Sequence, residues 1–177
     1  MNLKETMELA TRIGFDAVFP LDPKSIEFRQ DVRDMCAQCR NYGKSWGCPP
    51  SCESVESITE ACKPFTEGIL MQTIAKKSRT IMDDAKKHGA LFSVFCDELR
   101  TKNSQFIPMG AGGCRRCEKC NYPDEPCAHP ELVFPSMEAS GILILDLCKA
   151  NQIPYYYGEG TVAFMACCLI NPTNPTE

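Results

Sequence analysis

The ten residues Thr161-Val162-Ala163-Phe164-Met165-Ala166-Cys167-Cys168-Leu169-Ile170 decide the fold. They carry no charge, glycine or proline, and both alternating faces are apolar. A strand wetted on one side alternates apolar with polar residues, whereas a strand covered on both faces does not. The segment therefore reads as the central strand of a sheet layered with helices. Just upstream, Pro154-Tyr155-Tyr156-Tyr157 before Gly158-Glu159-Gly160 reads as a further strand and turn. Residues 65–75, with Ile69, Leu70, Met71 and Ile74, read as a second buried strand, and 105–109 as a short one. Residues 17–19, a turn at 20–23 and a return strand at 26–28 complete the set.

Helices follow from spacing. Leu3, Met7, Ala10 and Ile13 predict an amphipathic helix over 3–13, stopped by Gly14. Ala85, His88, Phe92, Phe95 and Leu99 recur at intervals of three and four, which predicts one helix from about 78 to 101 despite Gly89. Ser51 or Ser54 is placed to cap a helix whose first turns carry Glu53 and Glu56, and Ser136 to cap one over about 136–151. The expected fold is α/β or α+β: one domain over 1–177, a mixed sheet with helices, and a polar tail over 171–177.

The chain has 177 residues, a net charge of −4 and thirteen cysteines. An odd count cannot pair completely in disulfides. The first ten residues mix charge with apolar residues and lack the continuous apolar run of a secretory signal, and no apolar stretch is long enough to span a bilayer. These features predict a cytoplasmic protein with reduced cysteines, for which metal ligation is the better use. The acidic balance argues against nucleic acid as partner.

Eight cysteines fall in two sets. Cys114, Cys117 and Cys120 are spaced C-x2-C-x2-C, with Cys127 a little further on; Cys36, Cys39, Cys48 and Cys52 lie upstream among Gly43, Gly47 and the Pro49-Pro50 pair. Three cysteines at that spacing turn three sulfurs toward one centre, as a cubic iron–sulfur cluster requires. The gap from Cys120 to Cys127 is longer than in bacterial ferredoxins, and no proline follows Cys127 directly. Loops 36–52 and 113–130 are thus expected to gather at one end of the sheet and hold two [4Fe-4S] clusters. Zinc is the competing cofactor, with Cys117 and Cys120 pairing with Cys36 and Cys39 in a tetrahedral site. Cys52 sits near a helix start, where the helix dipole is expected to lower its pKa.

Cys62, Cys96, Cys148, Cys167 and Cys168 read as small buried hydrophobes. His129 reads as a loop histidine, His88 as a packing residue, and Trp46 as a shield for a cluster. Arg40, Lys44, Arg115, Arg116 and Lys119 surround the cysteines, and the only acid between Cys36 and Cys52 or between Cys114 and Cys120 is Glu118. Such cations offset thiolate charge and could steer an acidic partner. No phosphate loop, Ser–His–Asp set or paired-carboxylate spacing is present.

Between about residues 30 and 145 the chain resembles a family of small prokaryotic proteins described as predicted metal-binding proteins of unknown function. The resemblance rests on Cys39 with Tyr42-Gly43-Lys44-Ser45-Trp46-Gly47-Cys48-Pro49-Pro50 and on Gly112-Gly113-Cys114-Arg115-Arg116-Cys117-Glu118-Lys119-Cys120. It continues through Pro126-Cys127-Ala128-His129-Pro130 and Pro135-Ser136-Met137-Glu138-Ala139-Ser140-Gly141-Ile142. It implies metal or iron–sulfur binding in an anaerobic archaeal or bacterial cytoplasm and supplies no reaction; Cys52 departs from the shared pattern. The combined expectation is a carrier passing single electrons to or from a larger redox protein. Two alternatives stand beside it: an enzyme with an open-site cluster, and a structural zinc protein.

Overall fold

The structure, a computed structural model, describes residues 1–76, 81–102 and 104–171. Its elements run α1 (Leu3–Ile13), β1 (Ala17–Leu21), α2 (Gln30–Asp34), α3 (Val55–Cys62), β2 (Glu67–Lys76), α4 (Ile81–Thr101), β3 (Phe106–Met109), α5 (Ile144–Ala150) and β4 (Thr161–Ile170). Four strands form one sheet in the order β1-β2-β4-β3. All neighbouring strands pair antiparallel; a single parallel bridge joins Gly110 to Ser136. This is a mixed α/β architecture, with helices against both faces of an antiparallel sheet.

β4 is central, as its two apolar faces require. Met165, Cys167 and Leu169 enter one core cluster with Ile58 and Cys62 of α3 and Leu147 and Cys148 of α5. Ala166, Cys168 and Ile170 enter the other, with Leu9 and Ala10 of α1 and Phe92, Phe95, Cys96 and Leu99 of α4. The register keeps this division across the sheet: Leu70 faces Cys167 in the first cluster, and Ile69 faces Cys168 in the second. The adjacent cysteines 167 and 168 thus serve opposite layers. Burial pushes both thiols far up, and those of Cys62 and Cys148 to about 11 and Cys96 to about 12. All thirteen cysteines are free. Each edge strand carries a proline, Pro20 in β1 and Pro108 in β3, which removes a donor that another chain could pair with.

The Asn2 side chain and Glu5 cap α1 reciprocally, and Gly14 closes it. Ser54, not Ser51, caps α3. α4 matches its predicted apolar stripe; the first residues of that expectation, 78–80, and the tail from 172 lie outside the described residues.

Three expectations fail. The helix expected over 136–151 occupies only Ile144–Ala150. Before it the chain makes tight turns, with Ser136 Oγ accepting from Ala139 N–H at 3.1 Å, and reaches Gly141 at φ +87°. There the Gly141 carbonyl accepts from Arg29 N–H at 2.8 Å, and a Cβ on residue 141 would stand 2.6 Å from the Arg29 carbonyl oxygen. Docking against Arg29 outweighs helix propensity. Residues 26–28 form no return strand. The Tyr155–Tyr157 stretch is not a strand either. Its Tyr157 hydroxyl donates to Gln72 Oε1, and Gln72 Nε2 donates to the Pro154 carbonyl at 2.8 Å, so it covers the sheet through side-chain bonds.

His88 packs, as expected, inside the α4 layer against Phe15 and Phe164, with Nδ1 2.9 Å from Thr73 Oγ1. Burial lowers its pKa from 6.5 to about 4. A depressed folded-state value means that the unfolded chain binds the extra proton between about pH 6.5 and 4, so this contribution is complete above 6.5 and is lost as pH falls toward 4. The shift corresponds to a loss of as much as about 3 kcal/mol. Urea unfolding at pH 7 and pH 4.5 is expected to show a smaller pH-dependent loss in His88→Gln than in the unaltered protein. Equal losses would contradict the assignment.

Candidate metal centre

The first cysteine loop leaves the sheet through α2 and a 3-10 turn, Met35–Gln38, which carries Cys36. From Cys39 to the α3 cap the backbone folds on itself: Tyr42 N–H donates to the Cys39 carbonyl, Gly43 N–H to Pro49, Cys48 N–H to Ser45 and Cys52 N–H to Cys48. Ser51 Oγ ties the Ser45 and Cys48 carbonyls at 3.0 and 2.8 Å. Arg33 of α2 clamps the outer side. Its guanidinium donates to the Glu53 and Ala139 carbonyls, each at 2.6 Å, to the Cys52 carbonyl at 3.1 Å and to Cys52 Sγ at 3.5 Å.

The second loop starts where β3 ends. Gly110 N–H donates to the Pro135 carbonyl and Met137 N–H to Gly110, which closes the base of the loop. Arg116 holds its flank against α4 through two bonds to Asp97, at 2.7 and 2.8 Å. The Arg116 guanidinium holds the Asp97 carboxyl below its ordinary range. Asn121 Nδ2 donates to the Pro126 carbonyl at 2.6 Å across the turn leading to Cys127.

The two loops meet. A Cβ added at Gly113 would lie 2.8 Å from Cys48 Sγ, and one at Gly47 would lie 2.9 Å from Cys114 Cβ. At Gly47 the Phe134 carbonyl oxygen, 2.7 Å from such a Cβ, leaves no room for a side chain, and at Gly113 the Cys48 sulfur would have to move, so the loops meet through glycine at both contacts.

Cys36, Cys39 and Cys48 line a cavity of about 260 Å³, and Cys114, Cys117 and Cys120 line a more polar one of about 510 Å³; Asn41 and Gly113 border both. Cys114 is close enough to Cys117, Cys127 and Cys120 for each to raise its pKa by charge repulsion, although burial is the larger cause. Burial likewise raises Cys36, with Glu138, Cys39 and Cys48 adding repulsion, and raises Cys48, which Ser45 opposes. The expected lowering of Cys52 by the helix end is not found: burial raises it, and Arg33 opposes the rise only in part. Cys52 does not line the cavity shared by Cys36, Cys39 and Cys48.

Among the described residues, no three His, Cys, Asp or Glu side chains converge on a point where one ion would sit. The donors instead surround cavities, and the donor chemistry is soft thiol, the kind that selects iron–sulfur clusters, zinc or cuprous ion. Buried polar atoms without partners collect around them: Ser45 Oγ, Trp46 Nε1, Arg116 Nε and Glu138 Oε2. The first three are donors that an anionic thiolate set would accept from. Trp46 packs edge-on against Tyr122 of the other loop, with ring centroids 4.9 Å apart. His129 is exposed, as a loop histidine would be. Cysteine spacing identifies the thiols but not Arg33, which reaches back over the first loop from the helix that leads into it, nor Asp97 and Glu138, which reach the loops from segments further along the chain.

Fold and site define a class: a mixed α/β protein that carries free thiols in two interlocked loops beside its sheet. The chain belongs to the family described as predicted metal-binding protein (DUF2284), whose model matches residues 20–170. That description supports metal binding without naming the metal. No curated protein and no solved structure matches the chain. Among the described residues no helix is long and apolar enough to cross a membrane.

Replacing Gly113 by Ala should therefore force the loops apart. The expected cost is roughly 1–3 kcal/mol of unfolding free energy, together with faster alkylation of the buried Cys48 in metal-free protein. An unchanged Cys48 alkylation rate would contradict the interlock.

Proposed function

We propose that this protein is an iron–sulfur carrier of single electrons, with two cubane clusters held by the two loops, working in an anaerobic prokaryotic cytoplasm. The observation that carries the reading is the interlock of two thiol sets across Gly47 and Gly113. Clusters held on its two sides would be neighbours, and neighbouring clusters conduct without a substrate pocket. Cys114, Cys117, Cys120 and Cys127 would hold one cluster; Cys36, Cys39 and Cys48 would supply three donors of the other. A bound cluster supplies a reversible one-electron couple whose potential depends on nearby charge, hydrogen bonds and solvent.

The chain's own residues tune that couple. Arg33 and Ser45 bring positive charge and a hydroxyl to the first set. Trp46 and Tyr122 pack edge to face between the loops, where they would limit water. Of the cations around the cysteines, Arg116 is neutralised by Asp97, which leaves Arg40, Lys44, Arg115 and Lys119 as the patch for an acidic redox partner. Arg40, Lys44, Arg115 and Lys119 are exposed. Long-range attraction of this kind raises association rates and fades with salt.

The test is metal and sulfide content of anaerobically purified protein, with absorption spectra before and after dithionite. The expected result is about eight irons and eight sulfides per chain, with a visible band that bleaches. One or two zincs per chain and no visible band would overturn the reading in favour of a structural zinc protein.

A further inference from the structure

We infer that the fourth donor of the first cluster is the Glu138 carboxylate and not Cys52; the inference rests on the iron–sulfur reading above. Glu138 lines the same cavity as Cys36, Cys39 and Cys48, and its charge is near enough to Cys36 to raise that thiol. Its Oε2 is buried and has no hydrogen-bond partner among the described residues. A buried carboxylate oxygen beside three thiols is costly unless a cation meets it. No ion pair reaches Glu138 among the described residues: Arg40 and Arg115 border a neighbouring cavity with it but do not bond its Oε2, and Arg33, the guanidinium at the first set, is engaged with three carbonyls and Cys52. An iron ion in the cavity answers both deficits, since it neutralises the thiolates and takes the open oxygen.

Cys52 adjoins Cys48, and its charge helps raise that thiol, but it is turned away from the cavity. Its sulfur accepts from Arg33 at 3.5 Å, and it contributes nothing to the wall shared by the other three. The turns that replace the expected helix at 136–143 give Glu138 its place: Ser136 Oγ and the Gly141 carbonyl fix the segment on either side of it. The cluster would then have three thiolate-bound irons and one bound to oxygen. An oxygen donor is more readily displaced from iron than a thiolate, so this corner is the one at which a small exogenous ligand would bind.

The experiment compares unaltered protein, Cys52→Ser and Glu138→Gln, each purified anaerobically, by iron content and Mössbauer spectroscopy. Iron in Cys52→Ser equal to that of the unaltered protein, with a distinct minor iron site in both, is the expected result. Glu138→Gln, which keeps the size and removes the charge, is expected to lose that minor site or the iron of one cluster. Loss of about half the iron in Cys52→Ser, with Glu138→Gln spectra unchanged, would overturn the inference while leaving the iron–sulfur reading intact. The minor site is read in the unaltered protein itself, so its absence there counts against the inference even where a variant does not fold. Absence of iron from the unaltered protein would instead overturn the underlying reading.

Discussion

The close approach of the two cysteine loops is the constraint on which the site depends. A Cβ at Gly113 would meet Cys48 Sγ at 2.8 Å, and one at Gly47 would meet the Phe134 carbonyl oxygen at 2.7 Å and Cys114 Cβ at 2.9 Å. Two loops separated by about sixty residues of sheet and helix are thereby held in one unit. The scaffold fixes each from behind. Arg33 bolts the first to the carbonyls of Glu53 and Ala139, and the Asp97 pair bolts the second to α4. β3 feeds the second loop directly, so the sheet sets its point of departure.

Charge explains why such an arrangement needs an occupant. Six of the eight loop thiols are partly or wholly withdrawn from water, and burial raises the pKa of Cys36, Cys48, Cys52 and Cys114. Metal-free, these groups are expected to be protonated at neutral pH. A metal would release the protons, draw the sulfurs inward and neutralise the thiolate charge so produced, so loop order and metal binding are one equilibrium. The five remaining cysteines are buried in the two core clusters, and burial raises the pKa of every one. Position in the fold therefore separates thiols available for ligation from thiols used as packing.

Much of the scaffold was legible because its signals are local and strong. The uncharged run 161–170 specified a strand covered on both faces, and the spacing from Ala85 to Leu99 specified α4. The failures share one cause, contacts between residues far apart in the chain. Ser136 and Glu138 look like a helix start, yet Gly141 is tied to Arg29, and the turn wins. The tyrosines at 155–157 have strand propensity, but the Gln72 side chain holds this segment off the ladder. At the site, cysteine spacing identified both thiol sets. Nothing local marked Glu138 as facing Cys36 across about a hundred residues, or Arg33 as the group that meets Cys52. The basic patch was legible as composition; that Arg116 is spent on Asp97 was not.

Low-temperature electron paramagnetic resonance of the dithionite-reduced, anaerobically purified protein addresses the central claim most directly, because it reads cluster type and cluster proximity together. Two reduced cubane clusters on opposite sides of the Cys48–Gly113 contact should give signals broadened or split by spin coupling between neighbours. A spectrum with no cluster signal from protein that contains zinc would contradict the account, as would a signal from a single isolated cluster.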